Sequence, residues 1–117
     1  MGIKREDLDA GRIDLRDVTT GKRIPPAHPG EILRADFLEP MGMSVYALAN
    51  AIKVPRSRVN DIALGRRAIT ADTALRLARF LSTSPEFWVN LQAHYDLEVA
   101  KQTSRRQIEK EIAPHAA

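Results

Sequence analysis

The stretch VPRSRVNDIALGRR, residues 54–67, gathers side chains that can recognise nucleic acid. Asn60 can hold adenine by two hydrogen bonds, and Arg56 or Arg58 can do the same to guanine. Asp61 repels phosphate, but it can accept from cytosine N4 or fix a neighbouring arginine. Ser57 can bond a phosphate or a base. Arg66 and Arg67 follow Gly65, where they can clamp phosphate. Thr70 opens the next helix and can present backbone N–H groups to another phosphate. At 3.6 residues per turn, with Val59 and Ile62 inward, Ser57, Asn60 and Asp61 point away from the core. Leu64 joins them near the fraying end, and Arg56 and Arg58 lie on the flanks. This face suits the DNA major groove. The plain alternative is a polar helix face in water. An ordinary exposed face favours Lys and Glu. Ser, Asn and Asp compete with helical hydrogen bonds, so a sequence built only to fold gains little from them.

Charge is distributed to match. The 117-residue chain has a net charge of +3. Residues 44–81 carry 7 basic and 2 acidic side chains, whereas residues 1–43 and 82–117 each sum to −1. A localised basic region is an electrostatic footprint for a polyanion, although a solvated arginine-rich surface has the same composition.

Five helices account for the periodicity, and no strand is well supported. A first helix is expected from Pro29 to Glu39, stopped by Pro40 and Gly42. A second begins after the N-cap Ser44, with Val45, Leu48, Ala49 and Ile52 at helical spacing. A third starts near Pro55 and ends at Gly65. A fourth runs from the N-cap Thr70 to about Leu81. Asp72 there complements the helix dipole. A fifth starts at Ser84-Pro85-Glu86 and can continue through QTSRRQIEKEI, with Pro114 as its last possible end. The tight link between the second and third helices forces a steep crossing, the helix-turn-helix arrangement. Ala49 is the small residue at the crossing, Val54 the plug in the turn, and Val59 and Ile62 the inward pair. Lys53 stands where such turns often have glycine. If its backbone is left-handed, the cost is roughly 1 kcal/mol or slightly more.

The expected fold class is therefore all-α. Residues 1–27 form an N-terminal arm, extended or partly disordered, in which IDLRDV is at most a short strand. Residues 28–101 form the helix-turn-helix domain. Residues 102–117 form a charged helical extension. Trp88, Leu91, Tyr95 and Val99 mark one stripe on the fifth helix. Such a stripe is expected as core, or as core plus a homodimer interface, since operators require two half-sites.

Several chemistries are excluded or disfavoured. The chain has no cysteine, which removes disulfides, thiolate metal sites and cysteine catalysis. His28, His94 and His115 are scattered, and His28 reads as a capping or surface residue. No paired carboxylates, nucleophile elbow or glycine-rich phosphate loop appears, so neither catalytic residues nor a metal or other cofactor is expected. No apolar run approaches a membrane span, and MGIKREDLDAG is too charged for a signal peptide. A soluble cytoplasmic protein is the default expectation.

From His28 to Lys101 the sequence resembles the HigA family of antitoxins, within the phage-repressor-like (lambda-repressor-like) helix-turn-helix proteins. HPGEIL, VNDIALGRRAITADTALRLARFL and SPEFWVNLQ-HYDL carry the resemblance. It implies a dimeric repressor that binds double-stranded operator DNA upstream of its own operon. It also implies a partner, a HigB-like toxin, which is a small ribosome-dependent ribonuclease silenced by binding. Other readings stay open: a stand-alone regulator, a toxin-binding module without operator binding, and, more distantly, a small basic ribonuclease.

Overall fold

A computed structural model describes residues 25–116. The candidate strand at IDLRDV and most of the expected arm lie outside these residues. Residues 25–28 are non-helical and lead into the first helix.

Helix α1 spans residues 29–41 in three joined pieces: Pro29–Ile32, a wider π-helical Leu33–Leu38, and Glu39–Met41. His28 caps it, its Nδ1 accepting from the Gly30 N–H at 2.9 Å. The expected stop at Pro40 is corrected: the helix passes through that proline. In an α-helix the Pro40 ring would strike a carbonyl four residues back. Here the Glu39 N–H bonds to the Arg34 carbonyl, five residues back, so the backbone is already widened where the proline enters. Gly42, at φ 62°, ends the helix instead, and the Met43 N–H bonds to the Leu38 carbonyl at 3.0 Å.

Helices α2 (Val45–Ile52) and α3 (Arg56–Ala63) form the helix-turn-helix. Ser44 Oγ accepts from the Ala47 N–H at 3.0 Å and starts α2. Lys53 ends it in the left-handed region at φ 63°, ψ 48°, and both the Lys53 and Val54 N–H groups reach the Ala49 carbonyl. This closes the exposed carbonyls of the helix end. Lysine rather than glycine there costs about 1 kcal/mol, and Val54 packing on the core offsets it. Helix α4 (Ala71–Leu81) ends at Ser82, φ 60°, again without glycine. Helix α5 (Pro85–Glu111) starts at the N-cap Ser84 and is 27 residues long. It passes residue 101 without a break and ends before Pro114.

The core is shared by all five helices. Leu33 and Leu38 of α1, Leu48, Ala49 and Ile52 of α2, Val59 and Ile62 of α3, Ala74 and Leu77 of α4, and Trp88 of α5 are buried together. Each fully buried Leu or Ile stabilises by roughly 1.5–3 kcal/mol. Trp88 is 0% exposed, touches the rings of Phe37 and Phe87, and donates from Nε1 to Thr83 Oγ1 at 2.8 Å. Its place in a dimer interface is therefore corrected: its whole surface is spent within one protomer. Leu91, Tyr95 and Val99 remain half-buried.

Two contacts fix the base of α3. A Cβ on Gly30 would stand 1.7 Å from the Ile62 carbonyl oxygen, so only glycine lets α1 abut α3 here. Arg34 Nε then donates to the Ala63 carbonyl at 2.9 Å, satisfying one of the open carbonyls at the end of α3.

Candidate nucleic-acid interface

Burial of Val59, Ile62 and Ala63 turns the opposite face of α3 to solvent. Ser57 and Asn60 are exposed there, and Leu64 projects at the tip. Arg56 is exposed, while Arg58 and Asp61 are half-buried on the flanks. Ser57 and Asn60 thus stand outward as expected, whereas Asp61 is drawn to a flank and Arg56 is more exposed than its expected flank position, on a helix whose two ends are fixed, one by the α2 turn and one by Gly30 and Arg34.

Asp61 stands beside a neighbouring arginine, the geometry of one of its two expected roles. Its carboxylate lies 3.8 Å from the Arg66 guanidinium, which remains two-thirds exposed. The Gly65 turn, at φ 77°, brings the two together, with the Arg66 N–H bonded to the Asp61 carbonyl at 2.7 Å. Arg67 extends from the same loop. A cleft of about 280 Å³ lies beside it, lined by Arg58, Arg67, Ala68, Thr70, Asp72 and Thr73. Thr70 caps α4, its Oγ1 accepting from the Thr73 N–H at 3.4 Å, so its side chain serves the helix. The dipole at this helix start and two arginines favour an anion. Asp72 opposes it, but Arg76 Nε holds that carboxylate at 2.9 Å and Arg58 stands 4.0 Å away.

The loop is tied down from below. The Ile69 N–H donates to Gln92 Oε1 at 2.8 Å in a buried setting, and Gln92 Nε2 donates to Asp96 Oδ1 at 3.0 Å. A buried amide left unpaired there would cost about 1–3 kcal/mol. Helix α5 thus positions the segment that carries Arg66, Arg67 and Thr70. The His28 ring packs edge-on against Tyr95 with centroids 4.8 Å apart and lies beside Gly65. Burial lowers its pKa below the ordinary 6.5, with the Asp96 charge pulling the other way.

A helix-turn-helix family model matches residues 35–88. Antitoxin HigA-1 of Vibrio cholerae is 44% identical over 72 residues, which make up 62% of this chain and 68% of that protein. The solved structure described as Pseudomonas aeruginosa antitoxin HigA with higBA promoter superposes at a TM-score of 0.76. It is 49% identical and covers 78% of this chain and 99% of that one. The chain belongs to the HigA family. Virulence-associated protein I of Dichelobacter nodosus is similar too, 51% identical over 86 residues, 73% of this chain and 80% of that protein.

Three features of this HigA-family chain escape the sequence reading. Tyr46, the second residue of α2, is 55% exposed and stacks under Arg56. With Leu48, Ala49 and Ile52 inward, the helix wheel does turn Tyr46 outward, and an outward aromatic is the signal that finds it. Gln92 sits among the inward apolar residues of α5, where a buried amide asks for a partner. Arg34 gives no local sign, because its acceptor is 29 residues away. Among the described residues, no helix is long and apolar enough to cross a membrane.

Proposed function

We propose that this chain is the antitoxin of a toxin–antitoxin pair, a homodimeric repressor that binds operator DNA and also silences a HigB-like ribonuclease toxin in the cytoplasm. The observation that carries the DNA reading is the pole built by α3 and the Gly65–Thr70 loop. Ser57 and Asn60 stand outward on a helix braced at both ends, with Arg66 and Arg67 beside them. The Pseudomonas aeruginosa relative was solved with the higBA promoter, which supports operator DNA as the ligand. In this reading Ser57, Asn60 and Asp61 face bases, Arg56 and Arg58 assist, and Arg66, Arg67 and the Thr70 end of α4 hold phosphates. Asp61 also steadies Arg66. Two protomers pair through α5, where Leu91, Tyr95 and Val99 lie half-buried, and set their α3 helices roughly 34–36 Å apart.

The test is a titration of the purified chain against duplex DNA from just upstream of its own gene, with a scrambled duplex alongside. Submicromolar, salt-sensitive binding with at least about a hundredfold preference for the native duplex is expected. Equal weak binding to both duplexes overturns the repressor reading. Toxin binding has its own test: co-expression with the protein encoded next door should yield a complex in which that protein no longer cleaves RNA.

A further inference from the structure

Arg56 is held differently from the loop arginines. Its guanidinium carbon lies 5.1 Å from the centre of the Tyr46 ring. Tyr46 is 55% exposed and stands outside the buried core cluster, so folding alone does not account for an aromatic there. Ser44, Val45, Tyr46, Arg56, Ser57 and Asn60 together line a groove of about 760 Å³ between the starts of α2 and α3. The stacked pair therefore borders the same space as Asn60 and Ser57. Arg66, by contrast, is two-thirds exposed, and among the described residues its guanidinium meets Asp61 at 3.8 Å.

These two settings suit different work. Phosphate accepts a cation from many directions, so a mobile arginine serves it. A guanine edge needs the guanidinium presented in its plane, with two N–H groups aimed at O6 and N7. A ring beneath the guanidinium covers one side of it and leaves N–H groups free on the others. It also limits the rotamers that Arg56 would otherwise sample. We propose that Tyr46 is a positioning residue that fixes Arg56 as a guanine reader at one base pair of each operator half-site. The inference rests on the operator-binding reading above and assigns one of its base contacts.

The test compares Tyr46→Ala, Tyr46→Phe, Arg56→Ala and the Tyr46→Ala/Arg56→Ala double variant. Each is titrated with the upstream duplex, with a series in which its G·C pairs are replaced one at a time, and with scrambled DNA. Because Tyr46 is exposed, thermal unfolding of Tyr46→Ala should stay close to that of the parent chain. Tyr46→Ala should weaken the native duplex about three- to fivefold. It should lose discrimination at the same G·C pair as Arg56→Ala, and leave scrambled DNA unchanged. Tyr46→Phe should bind as the parent does, because it keeps the ring. In the Arg56→Ala background, Tyr46→Ala should add nothing. Equal weakening on every duplex, failure of phenylalanine to rescue, or full additivity would each overturn the positioning role. A parent chain that discriminates while Tyr46→Ala matches it removes this proposal alone. A parent chain with no preference for the native duplex removes both this proposal and the repressor reading.

Discussion

Helix α3 with its loop and the distal half of α5 are both arginine-bearing and exposed, yet their cations have different neighbours. Along α5, Lys101 meets Glu98 at 3.3 Å and Arg105 meets Glu109 at 3.2 Å, each within one turn of the helix. Gln107 likewise bonds Glu111. These charges are spent locally and support the helix by a few tenths of a kcal/mol per pair. At the α3 pole, Arg66 stands 3.8 Å from Asp61 across a turn, Arg67 is exposed, and Arg56 lies over the Tyr46 ring, with no carboxylate partner among the described residues. The difference shows that a count of basic residues does not locate a polyanion site. The site proposed for this chain is marked instead by cations beside side chains that can read bases, on an element held at both ends.

The bracing of the α3 pole is the first part of that contrast to break. Gly30→Ala places a methyl 1.7 Å from the Ile62 carbonyl, a backbone atom with nowhere to go. It should cost about 3 kcal/mol or more. Urea unfolding reads this directly, and a loss under 1 kcal/mol would mean that the α1–α3 contact is loose. Gln92→Leu, which strips the Ile69 N–H of its partner, should cost roughly 1–3 kcal/mol and weaken DNA binding beyond that loss, because the loop arginines lose their footing. DNA binding unaffected in a folded Gln92→Leu chain would contradict the tie.

Smaller changes sharpen the contrast. Lys53→Gly relieves a left-handed lysine and should raise stability by about 1 kcal/mol with operator affinity unchanged. A destabilised variant would show that the lysine side chain has a structural partner. His28 gives a pH dependence. Burial holds its folded pKa below 6.5, so the unfolded chain binds the proton more readily. Its contribution is fully present above pH 6.5 and is lost as pH falls through the lowered folded value. The cap on α1 requires Nδ1 unprotonated, which gives the same sign. His28→Asn, which keeps a capping acceptor, should flatten the pH profile of unfolding below about 6.5. The smallest effect belongs to α5: Arg105→Ala should change stability by no more than about 0.5 kcal/mol and leave DNA binding untouched.

What the sequence made legible follows the same division between local and distant causes. The inward positions Ala49, Val59 and Ile62, and the outward Ser57 and Asn60, were readable because helical periodicity is a local signal. The caps at Ser44, Thr70 and Ser84 were readable for the same reason. Pro40 looks like a helix stop in sequence because its accommodation depends on a π-helical slip earlier in α1. Ser82 ends α4 in a left-handed conformation with no glycine to announce it. The Trp88 stripe is ambiguous in sequence, since core and interface ask for the same apolar residues; burial against Phe37 and Phe87 places Trp88 alone in the core, and Leu91, Tyr95 and Val99 stay half-buried. The Gln92–Ile69 and Arg34–Ala63 bonds span 23 and 29 residues, and no local pattern foretells them.

The division of labour at the α3 pole is tested most directly by titrating Asn60→Ala and Arg67→Ala against the upstream duplex, its single-base-pair variants and scrambled DNA over a range of salt. Asn60→Ala should lose about 1–3 kcal/mol on the native duplex and relax specificity at one base pair per half-site, with the salt slope unchanged. Arg67→Ala should weaken all duplexes alike and flatten the salt slope by about one. Identical behaviour of the two variants would contradict the account, because the pole would then attract DNA without reading it.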